Sequence, residues 1–320
     1  MARVLGTEGN PRALRTHKLH ILPTSHTHNP DARLSKIPLD PSAVAPGLPG
    51  LLVAPEWLRE RLGQDGVRVV DLRDADGYAA GHVPGATHLE LAALGSKVGP
   101  CDNVLLAPAE FAALVSKLGI SNADAVIAYD DQWGLAAARL LWALHRYSHA
   151  AVGVLDGGWD RWTAEGGAVE PGSGGTSSTD DGSTAKRVTA FAPTLRDDVY
   201  ADHAWVAART RDGAAVLLDT RAPAETDRGH IPGAIVWDWF NAAPADGWNA
   251  SRDPAELRQE WARLGLTEDR EVAVYCRSGM RAAHTYMALK HAGFARVRLY
   301  DGSWQEWSAN MQSTSEATRG

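Results

Sequence analysis

Apolar residues fall along the chain in short β-type runs separated by stretches of helical spacing. The runs "VRVVDLR" at 67–73 and "AAVLLDTR" at 214–221 are each followed by a Gly/Pro turn, "GHVPGA" at 81–86 and "GHIPGA" at 229–234. Each turn leads into another short run. Further on, Asp253 suits an N-cap, with Pro254 first and Glu256 third in the helix, and Leu257, Trp261 and Leu264 recur on one face until Gly265. That spacing predicts a helix. The run "EVAVYC" at 271–276 has no polar alternation after its first residue, as expected of a strand buried on both faces. A helix follows, with Ala283, Tyr286 and Met287 inward and Gly293 as its stop. Strand, helix, strand, helix implies an α/β fold around a mostly parallel sheet.

The pattern is written twice. "VVDLRDADGYAAGHVPGATHLEL" at 69–91 matches "LLDTRAPAETDRGHIPGAIVWDW" at 217–239 without a gap, "APAEFAALVSKLGISNADAVIAYD" at 107–130 matches "DPAELRQEWARLGLTEDREVAVYC" at 253–276, and "LDGGWDRW" at 155–162 matches "YDGSWQEW" at 300–307. The order is the same in both, which predicts a tandem duplication of one domain. The expected boundaries are a disordered leader at 1–50, an N-terminal domain at 51–170, a flexible linker at 171–195, a C-terminal domain at 196–312 and a disordered tail at 313–320. The linker rests on the Gly/Ser/Thr-rich "EPGSGGTSSTDDGSTAK". His17, His20, His26 and His28 lie in the leader, where a solvated tail is a better reading than a metal site.

Charge and composition narrow the function classes. With 320 residues and a formal net charge of −7, the chain is long enough for two cores and is unsuited to broad binding of nucleic acid or anionic lipid. A small anion can still be held by a local cluster of positive groups. No stretch approaches the roughly 18 apolar residues of a membrane helix. Two cysteines, Cys101 and Cys276, make no disulfide framework, so a reducing, cytoplasmic location is expected.

Duplication also supplies an internal control, because shared positions speak for the fold and unshared ones for chemistry. Asp71/Arg73 and Asp219/Arg221 are shared, as are His82 and His230 of the Gly-His-x-Pro-Gly turns and Trp159, Trp162, Trp304 and Trp307. These read as structural ion pairs, turn histidines and core anchors. The strand ends differ: Cys276 is matched by Asp130, and "RSGMR" by "DQWGL". Ligands in open α/β sheets sit beyond the carboxyl ends of strands, where "YC" stops. Successive backbone N–H groups there and the start of a helix near Gly279 favour an anion, and Arg277 and Arg281 push Cys276 towards thiolate. Cys101 has no such cationic neighbours in sequence and reads as a small buried hydrophobe, while His284 sits beside the core face of the helix.

The duplicated "GHxPGA" turns, the "CRSGMR" loop, the "DGGW" and "DGSW" ends and the loss of cysteine from the first copy together resemble the tandem-domain rhodaneses, the thiosulfate and 3-mercaptopyruvate sulfurtransferases, over about residues 51–310. The resemblance implies two similar α/β domains, a catalytic C-terminal one and an N-terminal one that helps to wall the site. It implies a double displacement in which Cys276 takes a sulfane sulfur from an anionic donor and passes it, as a persulfide, to cyanide or a thiol. The backbone of Arg277, Ser278, Gly279, Met280 and Arg281 would cradle the sulfur, and Trp133 and Trp239 are candidate pocket walls. No metal or organic cofactor is implied. Arg277 inside the loop favours thiosulfate over 3-mercaptopyruvate, whereas Glu225, where mammalian thiosulfate enzymes have a second arginine, opposes a doubly charged donor. A phosphatase of related fold would need five residues between Cys and Arg where this chain has four. A non-enzymatic sulfur carrier or binding module is the other alternative.

Overall fold

The computed structural model describes residues 47–172, 190–245 and 247–317. In the N-terminal half these form β1 (Leu52–Val53), α1 (Pro55–Arg59), β2 (Val67–Asp71), α2 (Ala75–Ala80), β3 (Thr87–His88), β4 (Gly95–Val98), β5 (Cys101–Leu105), α3 (Pro108–Lys117), β6 (Ala125–Tyr129), α4 (Leu135–Arg146), β7 (Val152–Leu155) and α5 (Gly158–Ala164). The C-terminal half contains β8 (Tyr200–Ala201), α6 (His203–Asp212), β9 (Val216–Asp219), α7 (Pro223–Thr226), β10 (Ile235–Val236), α8 (Pro254–Arg263), β11 (Val272–Tyr275), α9 (Met280–His291), β12 (Val297–Tyr300) and α10 (Ser303–Ala317).

Each half is a five-stranded parallel sheet, in the order β3-β2-β6-β7-β1 and β10-β9-β11-β12-β8. Corresponding strands occupy corresponding places, so the duplication extends to topology. The central strands β6 and β11 have unbroken apolar runs, because helices cover both faces of a parallel sheet. The predicted helix after Asp253 is α8, whose N-cap carboxylate accepts from the amides of Ala255 and Glu256.

The shared residues serve the fold. Arg73 pairs with Asp71 at 2.6 Å and donates to the carbonyl of Gly81, and Arg221 pairs with Asp219 at 2.6 Å and donates to that of Gly229, so each buried pair fastens a Gly-His-x-Pro-Gly turn to its strand. His82 and His230 bond backbone carbonyls, of Tyr78 and Thr226. The guanidinium of Arg73 lies over Trp159 and that of Arg221 over Trp304, tying the final helix of each half to the same strand.

The halves share a core. Helix α4 is buried at every position from Ala136 to His145, which suits a helix covered on one side by its own sheet and on the other by α9. Polar contacts cross the seam: Arg139 pairs with Asp301 at 2.7 Å with both side chains about 1% exposed, Trp142 Nε1 donates to the carbonyl of Val199, and His145 Nδ1 lies 3.0 Å from the Tyr286 hydroxyl. The β4–β5 hairpin of the N-terminal half reaches the other sheet, with the Leu105 amide donating to Asp301 and Asp102 bonded to Gln305.

Three expectations need correction at their edges. Leu48 is buried against the sheet, so the chain is already packed before residue 50, because β1 begins only four residues later. Phe191 is buried against Phe111, and Ala192 and Asn122 exchange two hydrogen bonds, so residues 191 and 192 of the expected linker are held on the N-terminal half by an aromatic anchor. Helix α10 continues to Ala317, past the expected tail start at 313, since residues 313–317 contain no Gly or Pro to stop a helix already nucleated on Trp304 and Trp307. The leader up to residue 46, with its four histidines, the linker at 173–189 and residues 318–320 lie outside the described residues. Among the described residues, no helix is long and apolar enough to cross a membrane.

Candidate active site

Cys276 follows directly on β11, and only about 1% of it is exposed. Its carbonyl accepts from Trp304, and its amide donates to the Ser303 hydroxyl at 3.3 Å, so the "DGSW" turn grips the cysteine on both sides. The chain then turns through Arg277 and Ser278 to Gly279, the N-cap of α9, at φ +83°. A side chain there would be strained, and a Cβ would come within 3.0 Å of both Arg139 and Asp301. The buried inter-half ion pair therefore forms the floor under the loop. Among the described residues, the amides of Arg277, Ser278, Gly279, Met280 and Arg281 have no acceptor within the protein. Free amides curled at a helix start make a nest for a negatively charged atom.

The two arginines of the loop behave differently. Arg277 is about 65% exposed, and its nearest carboxylate, Asp102 from the β4–β5 hairpin, is 3.9 Å away. Arg281 is clamped by Glu225 through two hydrogen bonds of 2.5 and 2.9 Å. The Arg281 guanidinium holds the Glu225 carboxyl below the usual range, and Glu225 in turn raises the pKa of Arg281, assisted by Cys276. Glu225 thus turns into the site and neutralises one of its cations.

The aromatic candidates meet at one place. Trp239 donates its amide to the carbonyl of Thr220, which itself bonds the end of β11 at Tyr275. Its ring lies edge-on to His284 and to Phe240, and Trp133 from the N-terminal half lies edge-on to Phe240 at 5.4 Å. His284 Nε2 sits between the carbonyls of Trp133 and Ala250, at 3.1 and 2.9 Å. Burial lowers its pKa to about 4, so it is a neutral structural group that links the halves. Cys101 is buried beside the carbonyl of Gly302, and burial raises its pKa to about 11, which makes it a poor nucleophile.

The matching loop of the N-terminal half is occupied by its own chain. Asp130 follows directly on β6 as Cys276 follows on β11, and its carboxyl group accepts from the amides of Gln132 and Gly134, both at 2.8 Å, and of Ala137 at 2.9 Å. Burial raises its pKa. The loops also differ in length. Cys276 lies 146 positions after Asp130, but the helix starts Leu135 and Met280 are 145 apart, so Gly134 rather than Trp133 corresponds to Gly279. The ungapped pairing of "RSGMR" with "DQWGL" is therefore off by one residue at its end. An extra residue is accommodated by placing both Trp133, at φ +56°, and Gly134, at φ +81°, in the left-handed region. Ser303 was missed at the level of sequence although a signal existed, since Gly158 stands in its place in the other copy.

Two copies of one parallel α/β unit, with a cysteine loop at the carboxyl edge of the second sheet alone, define a class of tandem two-domain α/β proteins. The rhodanese-like domain model matches residues 54–165 and 202–310, and the chain belongs to the rhodanese family of sulfurtransferases. It is 32% identical to a thiosulfate sulfurtransferase of Pseudomonas aeruginosa over 80% of this chain and 93% of that one. A thiosulfate sulfurtransferase of Corynebacterium glutamicum is 34% identical over 81% of this chain and 88% of its own length. Among solved structures, SseA of Escherichia coli, described as a 3-mercaptopyruvate sulfotransferase with the rhodanese fold, matches with a TM-score of 0.69 at 25% identity over 80% of this chain and 99% of that one.

Proposed function

We propose that the protein moves a sulfane sulfur from thiosulfate to cyanide or a thiol through a persulfide on Cys276. The observation that carries this reading is the set of free loop amides beside the Cys276 side chain, in a position where the other half binds a carboxylate through the same kind of amides. The Cys276 thiolate attacks the outer sulfur of thiosulfate, the S–S bond breaks, and sulfite leaves with the bonding pair. The terminal sulfur of the resulting persulfide carries the negative charge, which the amides of residues 277–281 stabilise. Cyanide then attacks that sulfur, thiocyanate departs and the thiolate returns. Neither step needs a proton donor, in keeping with the absence of an exposed histidine or carboxylic acid on the loop. Arg277, the less encumbered cation, attracts the donor.

A second reading, 3-mercaptopyruvate as donor, is favoured by one specific feature. Glu225 cancels Arg281 and so lowers the attraction for a doubly charged donor. The C–S bond would then break in place of the S–S bond, and the departing enolate would take up the proton of the donor thiol to leave as pyruvate. Steady-state rates with both donors against cyanide, together with the intact mass after donor alone, test the proposal. The expected mass gain is one sulfur on the peptide bearing Cys276, and its absence with either donor would refute the reading. A higher kcat/KM for 3-mercaptopyruvate would replace the first donor by the second.

A further inference from the structure

The N-terminal half carries a carboxyl group where the other half has the cysteine, and the purpose of that carboxyl is legible in what its loop touches. Three amides converge on the Asp130 carboxylate, at 2.8, 2.8 and 2.9 Å, and the group is about 2% exposed. The bonded residues Gln132 and Gly134 bracket Trp133 on either side. Trp133 is a bulky residue at φ +56°, a conformation that persists only where its surroundings over-determine it. What Trp133 then reaches belongs to the opposite half: its carbonyl takes the His284 hydrogen bond, and its ring packs on Phe240 beside Trp239. His284 lies on α9, the helix whose N-cap is Gly279 of the cysteine loop. Gly134 is equally tight against that half, since a Cβ on it would meet Ala250 at 3.2 Å.

We propose that Asp130 is a positioning residue for the Cys276 site, a built-in acceptor for three amides that sets the N-terminal loop so that Trp133 forms part of the wall beside the cysteine. The inference rests on the sulfur-transfer reading above. It explains why the strand end carries an acid rather than any small residue. A neutral side chain would leave three converging amides buried without a partner, and the left-handed Trp133–Gly134 step would lose its brace.

The test is a double-mutant cycle on the full chain, read by steady-state thiocyanate formation and by the Cys276 persulfide mass. Asp130→Ala is expected to raise the donor KM about tenfold with kcat within about threefold, since a displaced wall weakens donor positioning while the sulfur cradle is intact. Trp133→Ala should do the same, and the double variant should be no worse than the poorer single variant, because both remove one wall. A merely structural role would lower the melting temperature and leave the KM of the folded protein unchanged. Unchanged KM, or losses that multiply in the double variant, would overturn the proposal. Should Asp130→Ala not fold, Asp130→Asn keeps the shape and one acceptor oxygen, and an intermediate KM is expected; wild-type KM in that variant would overturn the proposal equally. Wild-type protein that forms no persulfide would instead remove the sulfur-transfer reading, and the wall with it.

Discussion

The loops after β6 and β11 start from the same strand end, hang on the same tyrosine and enter a helix through the same left-handed glycine, yet one is filled and the other is open. Tyr129 and Tyr275 each take an amide of their Gly-His-x-Pro-Gly turn, from Val83 and Ile231. Trp159 and Trp304 each donate to the carbonyl of the residue that ends the strand. Into the first cradle the chain puts its own carboxylate; in the second a thiol sits beside free amides. The cradle is therefore a property of the fold, and the two halves differ in what is placed in it. The filled copy is not isolated from the other half, because its loop, one residue longer, reaches across the seam to His284 and Phe240.

Four changes would break or sharpen this contrast. Cys276→Ser keeps the size of the side chain but removes the sulfur, and should cut thiocyanate formation at least about 10³-fold with no change in circular dichroism. Activity near wild type would mean that the open loop is not the reactive one. Arg139→Leu leaves Asp301 buried and unpaired beneath Gly279, and should cost about 3–5 kcal/mol in urea unfolding. A much smaller loss would show that the halves do not depend on this pair.

Acid should weaken the seam as well. His284 is held neutral because burial lowers its pKa to about 4, against about 6.5 in an unfolded chain. Between those values the unfolded state binds more protons, so the stability His284 contributes is complete above about pH 6.5 and is lost as pH falls towards 4. Roughly 2 kcal/mol should disappear by pH 5 on this account. His145, lowered by burial to about 3, acts in the same direction. His284→Gln should flatten the fall in melting temperature between pH 7 and 5, and an unchanged slope would clear His284 of the effect. The smallest effect is expected from Glu225→Gln, which frees Arg281 and should lower the thiosulfate KM about fivefold, worth ~1 kcal/mol. Equal changes for thiosulfate and 3-mercaptopyruvate would show that Glu225 does not discriminate donor charge.

Much of this was legible in the chain itself. The two-fold repeat, the α/β order and the assignment of Asp71/Arg73 and Asp219/Arg221 to the fold followed from self-similarity, because a buried ion pair that recurs at the same turn must serve something both halves have. The α8 cap at Asp253 and the α9 start at Gly279 followed from local chemistry alone. Glu225 shows where such reading stops. Sequence placed an acid near the mouth without its direction, and only the contact with Arg281 reveals that it cancels a cation. Cys101 looked remote from the site, yet its hairpin brings Asp102 to Arg277.

By itself, then, the sequence determined the duplicated parallel architecture and singled out one cysteine at one strand end, since these depend on periodicity, turn chemistry and the difference between two aligned copies. Tertiary structure alone decided the one-residue offset between the loops, the filling of the first by Asp130, the clamp of Glu225 on Arg281 and the meeting of Trp133 with His284. The physical reason is range: backbone preference and amphipathic spacing act over a few residues, whereas these contacts join residues 56 to 151 positions apart or hang on which way a buried side chain turns.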